Sequence, residues 1–191
     1  MAILPVYLYG SDILREKAAE VKTMTDGLRK FIDDMKETMH AADAIGLAAN
    51  QVGKSKRIIV VDISETEEYK DVPPIVLINP VVVSSKGKWK MEEGCLSLPE
   101  IREAITRPET VGIRFRDEEF SVVEREFSGL FGRVILHEMD HLVGVLLTVH
   151  LSRTKRTLMR NKLRKITKKK IDTDYPIIVE QSTKKRKKKP L

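Results

Sequence analysis

The sequence has one cysteine, Cys95, only four histidines and 5% aromatic residues among 191. A single cysteine cannot close an internal disulfide, so no oxidising compartment is implied and the cytoplasm is expected. The longest apolar runs, near residues 58–61 and 143–149, fall far short of the roughly 20 residues that cross a bilayer. Residues 1–5 lack a charged segment followed by an apolar one, and no signal peptide is expected. A Gly-rich phosphate loop, a Cys-x-x-Cys pair and internal repeats are all missing. Their absence sets aside P-loop, zinc-ribbon and solenoid architectures.

Acidic residues are scarce at one end. Residues 152–191 hold 16 basic against three acidic residues, a balance of +13, while residues 1–151 hold 19 against 25, a balance of −6. The expected organisation is therefore a mildly acidic domain over 1–151 followed by a basic C-terminal helix and tail over 152–191. A basic tail suits a polyanionic partner such as RNA, or serves only solubility.

What the chain does contain is locally periodic. Leu28, Phe31, Ile32, Met35 and Met39 form the stripe of an amphipathic helix capped by Thr25 or Asp26. A short helix is expected from Ser11 to about Ala18. Strands are expected over 57–63, 75–84 (bent at Asn79-Pro80), 89–91, 104–106, 110–116 and 120–127. Ser128 and Gly144 bracket a helix bearing Leu130, Phe131, Val134, Ile135 and Leu142. A helix apolar on most sides is buried. Ser152 begins a last helix, residues 175–179 suit an edge strand, and 184–189 read as a disordered basic end.

The buried helix carries His137-Glu138-Met139-Asp140-His141. Histidines at i and i+4 share one helix face and can reach one metal ion, with Glu138 placed as general base. Burying such groups unpaired would cost roughly 2–7 kcal/mol for each neutral one, so coordination is the natural reason for them. A catalytic site needs a third protein ligand. His150 lies beyond the helix stop, His40 reads as a surface residue, and the basic tail offers no glutamate helix. Cys95 remains, in the turn Glu93-Gly94-Cys95-Leu96-Ser97. A zinc endopeptidase with a distant carboxylate ligand stays open as an alternative, as does an RNA- or ribosome-binding protein without activity.

Taken in order, Ala44-Ile45-Gly46-Leu47-Ala48-Ala49-Asn50-Gln51, Glu93–Ser97 and His137–His141 resemble the three signatures of the peptide deformylases, a likeness extending over about residues 1–165. Ala44 stands where the family has glycine, and Leu136 where it has glutamine. The resemblance implies an α+β fold, with antiparallel or mixed sheets packed around a central metal-binding helix and a C-terminal helix. It also implies hydrolysis of the N-formyl group from the starting methionine of nascent polypeptides, releasing formate. Cys95, His137 and His141 would bind one divalent ion, Fe(II) favoured over zinc, nickel or cobalt. Such an ion lowers the pKa of a water toward about 7, and Glu138 would take its proton and pass it to the leaving amine. The Gln51 amide and the Leu96 N–H would stabilise the oxyanion. Ile45 and Gly46 would line the bound peptide, with Glu93 close by. Arg102 would hold substrate or the turn, unless it is simply a surface charge. In some members the C-terminal helix docks on the ribosome, a partner implied here for residues 152–191; no membrane partner is implied.

Overall fold

The structure, a computed structural model, describes residues 2–180. The basic end expected over 184–189 lies outside the described residues. In chain order the elements are β1 (Val6–Tyr7), α1 (Asp26–Ala41), β2 (Gly46–Ala48), β3 (Ile58–Val61), β4 (Ile75–Lys86), β5 (Trp89–Gly94) and β6 (Arg102–Arg107). Then follow β7 (Thr110–Arg116), β8 (Val122–Ser128), α2 (Gly129–Leu142), α3 (Arg153–Leu158), α4 (Arg160–Thr167) and β9 (Ile177–Ile178). The short helix expected from Ser11 is a 3-10 turn, Asp12–Arg15.

A five-stranded sheet of order β2-β3-β4-β7-β8, antiparallel throughout, forms the centre. Its second strand, β3, is buried on both faces, as a continuous β-branched run requires. Ile58 and Val60 point to α1 and pack with Phe31, Ile32, Met35 and Met39. Ile59 and Val61 point the other way, to Phe131, Val134 and Ile135 of α2. The sheet is therefore covered by a helix on each face. The α1 stripe is the stronger cause of that helix, since each such side chain gains roughly 1.5–3 kcal/mol on burial. Its cap is Thr25, whose hydroxyl oxygen accepts from the Leu28 N–H at 3.2 Å.

β4 bends where expected: Asn79 has φ +55° and the register against β7 shifts between Ile78 and Val81. The segment 46–52 contains more order than its small residues suggest. Residues 46–48 pair with β3, and residues 49–52 form a 3-10 turn. Small side chains there let α2 approach. A β-carbon on Gly46 would lie 2.7 Å from Val134 Cγ1 and 2.8 Å from Glu138 Oε1.

β5 and β6 form a separate hairpin. Its far side joins a third cluster that includes Leu8, Leu14, Leu98, Ile101, Ile105, Leu163 and Ile166. The C-terminal helix is thus seated on the domain. It is expressed as α3 and α4 with a local break at Met159, whose N–H donates back to the Lys155 carbonyl at 3.0 Å and whose carbonyl accepts from the Leu163 N–H at 2.9 Å. The edge strand expected at 175–179 is β9, which pairs in parallel with β1. Sheets of both kinds, packed with helices, make the α+β fold that was expected.

Candidate active site

α2 ends where the Gly144 backbone turns left-handed at φ +73°, and a β-carbon there would lie 2.5 Å from the Arg15 carbonyl oxygen. That close approach fixes the C-terminal end of the helix and with it the height of His137 and His141. The two rings meet edge to face with centroids 5.2 Å apart. The turn following β5 brings Cys95 to them, with Sγ 3.3 Å from His141 Nε2. One ligand atom from each of Cys95, His137 and His141 lies within 4.8 Å of the others, with no Asp or Glu in that cluster. The distant carboxylate of a zinc endopeptidase is therefore not part of this three-residue set.

A buried ion network orients His137. Its Nδ1 lies 2.9 Å from Glu93 Oε2. Arg107 grips the same carboxylate at both oxygens, Nε to Oε1 at 2.6 Å and Nη2 to Oε2 at 3.0 Å. Arg133 adds a bond from Nη1 to Oε1 at 2.6 Å. Burial alone would raise the Glu93 pKa, but the His137 and Arg107 hydrogen bonds and the Arg107 charge hold it down to about 2. With Nδ1–H directed at this carboxylate, the His137 Nε2 lone pair is presented to the ligand set. Asp140 Oδ2 extends the network, accepting from Arg107 Nη1 at 2.9 Å and meeting His150 Nε2 at 3.1 Å.

The electrostatics suit a cation. For His137, burial opposes the charged form, yet its hydrogen bonds to Cys95 and Glu93 and the charges of Glu138 and Cys95 favour positive charge there. His141 is pushed the other way, by burial and then by His137 and Arg107, and stays a neutral donor. Burial raises Glu138 to about 7, against the charges of His137 and Arg107. Glu138 Oε2 and His141 Nδ1 are buried without a partner among the described residues. Such atoms normally find a polar species, so this donor set fits a metal ion with its water.

Gln51 is 2% exposed. Its Oε1 accepts from the Ala48 N–H at 2.8 Å, which turns Nε2 toward Cys95 Sγ at 3.8 Å and Ser97 Oγ at 3.3 Å. The site opens into a cleft of about 420 Å³ lined by Ile45, Gly46, Glu93, Cys95, Leu96, Arg102, His137 and Glu138, among others. His141 and Gln51 lie just behind that surface, so the expected site residues converge on one place. Two of them sit differently from the simplest expectation. The Glu93 carboxylate is fully taken by Arg107, Arg133 and His137, so it orients a ligand and has no bond to spare for a peptide. Arg102 is exposed, lies over Gly94 at the cleft mouth, and makes no ion pair among the described residues. Ala44 and Leu136 pack into the apolar clusters.

Four residues were not singled out from sequence. Arg107 gives no local signal. Arg133 does, as a cation in an otherwise apolar buried helix. Asn50 donates from Nδ2 to the His141 carbonyl at 2.6 Å and pins the helix end. Tyr175 reaches the cleft from the C-terminal segment, and burial, then the charges of Cys95 and Asp174, push its pKa up to about 12. His40 is a surface residue paired with Asp62 at 2.8 Å.

Gly46→Ala should displace Val134 and the Glu138 carboxylate, given the 2.7 and 2.8 Å approaches of its added carbon. A misplacement near 1 Å can cost about 100-fold in rate, so kcat/KM should fall by about that factor, checked by turnover of the folded variant.

The sequence profile of the polypeptide deformylase family matches residues 3–157. A peptide deformylase of Salinibacter ruber is 45% identical over 186 residues, covering 93% of this chain and 95% of that protein. The crystal structure of a peptide deformylase from Legionella pneumophila superposes with TM-score 0.81 at 36% identity, covering 88% of this chain and 98% of that one. A Met-Ala-Ser-bound class I type b peptide deformylase from Acinetobacter baumannii gives TM-score 0.74 at 34% identity, covering 78% of this chain and 99% of that one.

Proposed function

This chain belongs to the polypeptide deformylase family, a premise from which we propose the part each of its own groups plays in removing the N-formyl group of nascent peptides. The observation that carries the assignment is the buried Glu138 carboxylate, unpartnered at Oε2, beside the Cys95, His137 and His141 donors.

Cys95 Sγ, His137 Nε2 and a ring nitrogen of His141 would hold one divalent ion. Mixed thiolate and imidazole donors accept iron, zinc, nickel or cobalt, and likeness to the family favours Fe(II). When bound, the ion supplies positive charge that acidifies water and favours negative charge on the formyl oxygen. Glu138 takes the proton of the attacking water and returns it to the departing amine. Gln51 Nε2 and the Leu96 N–H donate to the oxygen that becomes negative as the formyl carbon turns tetrahedral. The Leu96 N–H makes no other hydrogen bond among the described residues, which supports this role. Backbone groups at Ile45 and Gly46 and the side chain of Arg102 face the peptide, and Glu93 acts through His137. A formyl carbon bears only hydrogen besides its oxygen and nitrogen, so a closely walled site favours it over bulkier acyl groups.

The test is formate release from formyl-Met-Ala-Ser by anaerobically prepared protein, with metal analysis of the same sample; the A. baumannii relative is described with Met-Ala-Ser bound. Wild-type metal content and turnover in Cys95→Ser would sink the ligand assignment. Gln51→Leu should lower kcat by about 100- to 1,000-fold, the usual cost of one oxyanion donor, with KM little changed in steady-state assays.

Residues 1–151 supply the metal donors, the general base and the oxyanion donors, and the basic stretch 152–191 docks on ribosomal RNA near the site where nascent chains emerge. Arg153, Lys155, Arg156, Arg160, Lys162, Arg164 and Lys165 give α3 and α4 the charge for it. Binding should weaken steeply with salt, and Arg160→Glu with Arg164→Glu should reduce ribosome co-sedimentation; unchanged sedimentation removes the docking role. A substrate supplied by ribosomes supports work in the cytoplasm; none of the described helices is long and apolar enough to cross a membrane.

A further inference from the structure

The segment after α4 returns to the cleft. The Val6 N–H donates to the Pro176 carbonyl at 2.8 Å and the Leu8 N–H to Ile178 at 2.9 Å, so β1 fixes the chain on the C-terminal side of Tyr175. Ile171, Ile177 and Val179 pack on the third apolar cluster, to which Cys95 also belongs. The half-buried Tyr175 thereby joins the cleft wall with Cys95, Leu96, Ile101 and Arg102. Its hydroxyl donates to the Leu96 carbonyl at 2.9 Å.

That carbonyl is in a sensitive place. The Leu98 N–H donates to the Cys95 carbonyl at 2.9 Å, closing a four-residue turn over Cys95–Leu98. In such a turn the peptide between the two central residues is the one whose orientation distinguishes the common turn types, so it can rotate while both ends stay put. Here it is the Leu96–Ser97 peptide. Its rotation would change ψ of Leu96 and loosen the residue whose N–H faces the reacting carbonyl. The next carbonyl, of Ser97, is held by the Tyr9 N–H at 2.8 Å. Tyr175 is therefore the side chain that closes the remaining freedom of this turn.

We propose that Tyr175 is a positioning residue for deformylation: its hydroxyl locks the Leu96–Ser97 peptide and keeps the Leu96 N–H aimed at the oxyanion, while its ring walls that side of the cleft. The inference rests on the oxyanion role given above to Leu96. It makes the C-terminal segment part of the active site, although every metal donor lies far upstream.

The experiment uses the full-length, metal-loaded enzyme with formyl-Met-Ala-Ser and determines kcat, KM, Tm and metal content for Tyr175→Phe and Tyr175→Ala. Tyr175→Phe keeps the ring and deletes one hydrogen bond. Its kcat should fall about three- to tenfold, the scale of one such bond, with KM, Tm and metal content near wild type. Tyr175→Ala should in addition raise KM by opening the wall. Wild-type kcat in Tyr175→Phe overturns the proposal, and so does a loss that merely follows a lowered Tm or metal content, since that is a packing role. Gln51→Leu is measured alongside. If it loses activity while Tyr175→Phe does not, only the role of Tyr175 falls; if neither changes kcat, the oxyanion assignment fails and the inference with it.

Discussion

Glu138→Gln should cost about 100- to 10,000-fold in kcat, the range that general acid–base groups contribute, while metal content and fold stay intact. Glutamine fills the same space at the end of the Gly46 approach but cannot accept or return a proton. The same substitution should make the metal-free protein more stable at pH 8. Burial raises Glu138 from an ordinary 4.5 to about 7 in the folded state. Between these values the folded chain binds more protons than the unfolded one, so stability declines as pH rises through that window. Above it, the ionised carboxylate carries a penalty on the order of 3 kcal/mol, which glutamine does not. A bound cation offsets part of that penalty by its charge, so the gain should shrink when metal is restored. Thermal melts of both proteins at pH 5 and pH 8, with and without chelator, check the sign: equal melting of the metal-free pair at pH 8 contradicts this account. Activity here is held at the expense of stability, at a single carboxyl group.

Glu93→Ala should be the most destabilising single change at the site, by about 3–5 kcal/mol, because it leaves buried Arg133 without a carboxylate and Arg107 with Asp140 alone. Arg133 and Arg107 are 2% and 7% exposed and share this carboxylate. For a chain of this size the loss corresponds to a fall of very roughly 6–20 °C in Tm. The pH dependence follows from the depressed pKa of Glu93, about 2 against 4.5. Its stabilisation is complete above the unfolded value and is lost as pH falls from 4.5 toward 2. Wild-type stability should therefore drop in that window, and the variant should drop less. With His137 no longer oriented, metal affinity should also weaken about 10- to 100-fold. A variant with wild-type Tm and metal affinity would show that the Arg107–Glu93–Arg133 contacts are incidental.

The parts of this site that were legible in the sequence are those set by local spacing. The i, i+4 histidines, the adjacent glutamate and the α1 stripe each follow from helix periodicity, and Thr25 marks its helix start by capping chemistry. The β-branched run at 58–61 announced a strand buried on both faces. Cys95 and Gln51 were reachable because each sits in a distinctive short segment. The Glu93 network was not, since its arginines lie 14 and 40 residues away and only the fold decides which cation meets which carboxylate. Tyr175 was beyond reach for the same reason, 79 residues from the carbonyl it holds. The strand at 46–48 was hidden by a different cause: its residues are small because α2 crosses them closely, and small residues read locally as a loop.

The place of α2 in the chain has a consequence for how the protein is made. The strands β2, β3 and β4 pair with their chain neighbours, as do β7 and β8, so most of the sheet can zip up as synthesis proceeds. One face of it can be covered at once by α1, already made. The other face, Ile59, Val61, Leu77, Ile113 and Phe127, has no cover until residues 129–142 have left the ribosome tunnel. An unfinished chain thus carries an apolar surface open to aggregation. The helix that seals that surface also brings His137 and His141, so closure of this face of the sheet and assembly of the metal site occur in one late event.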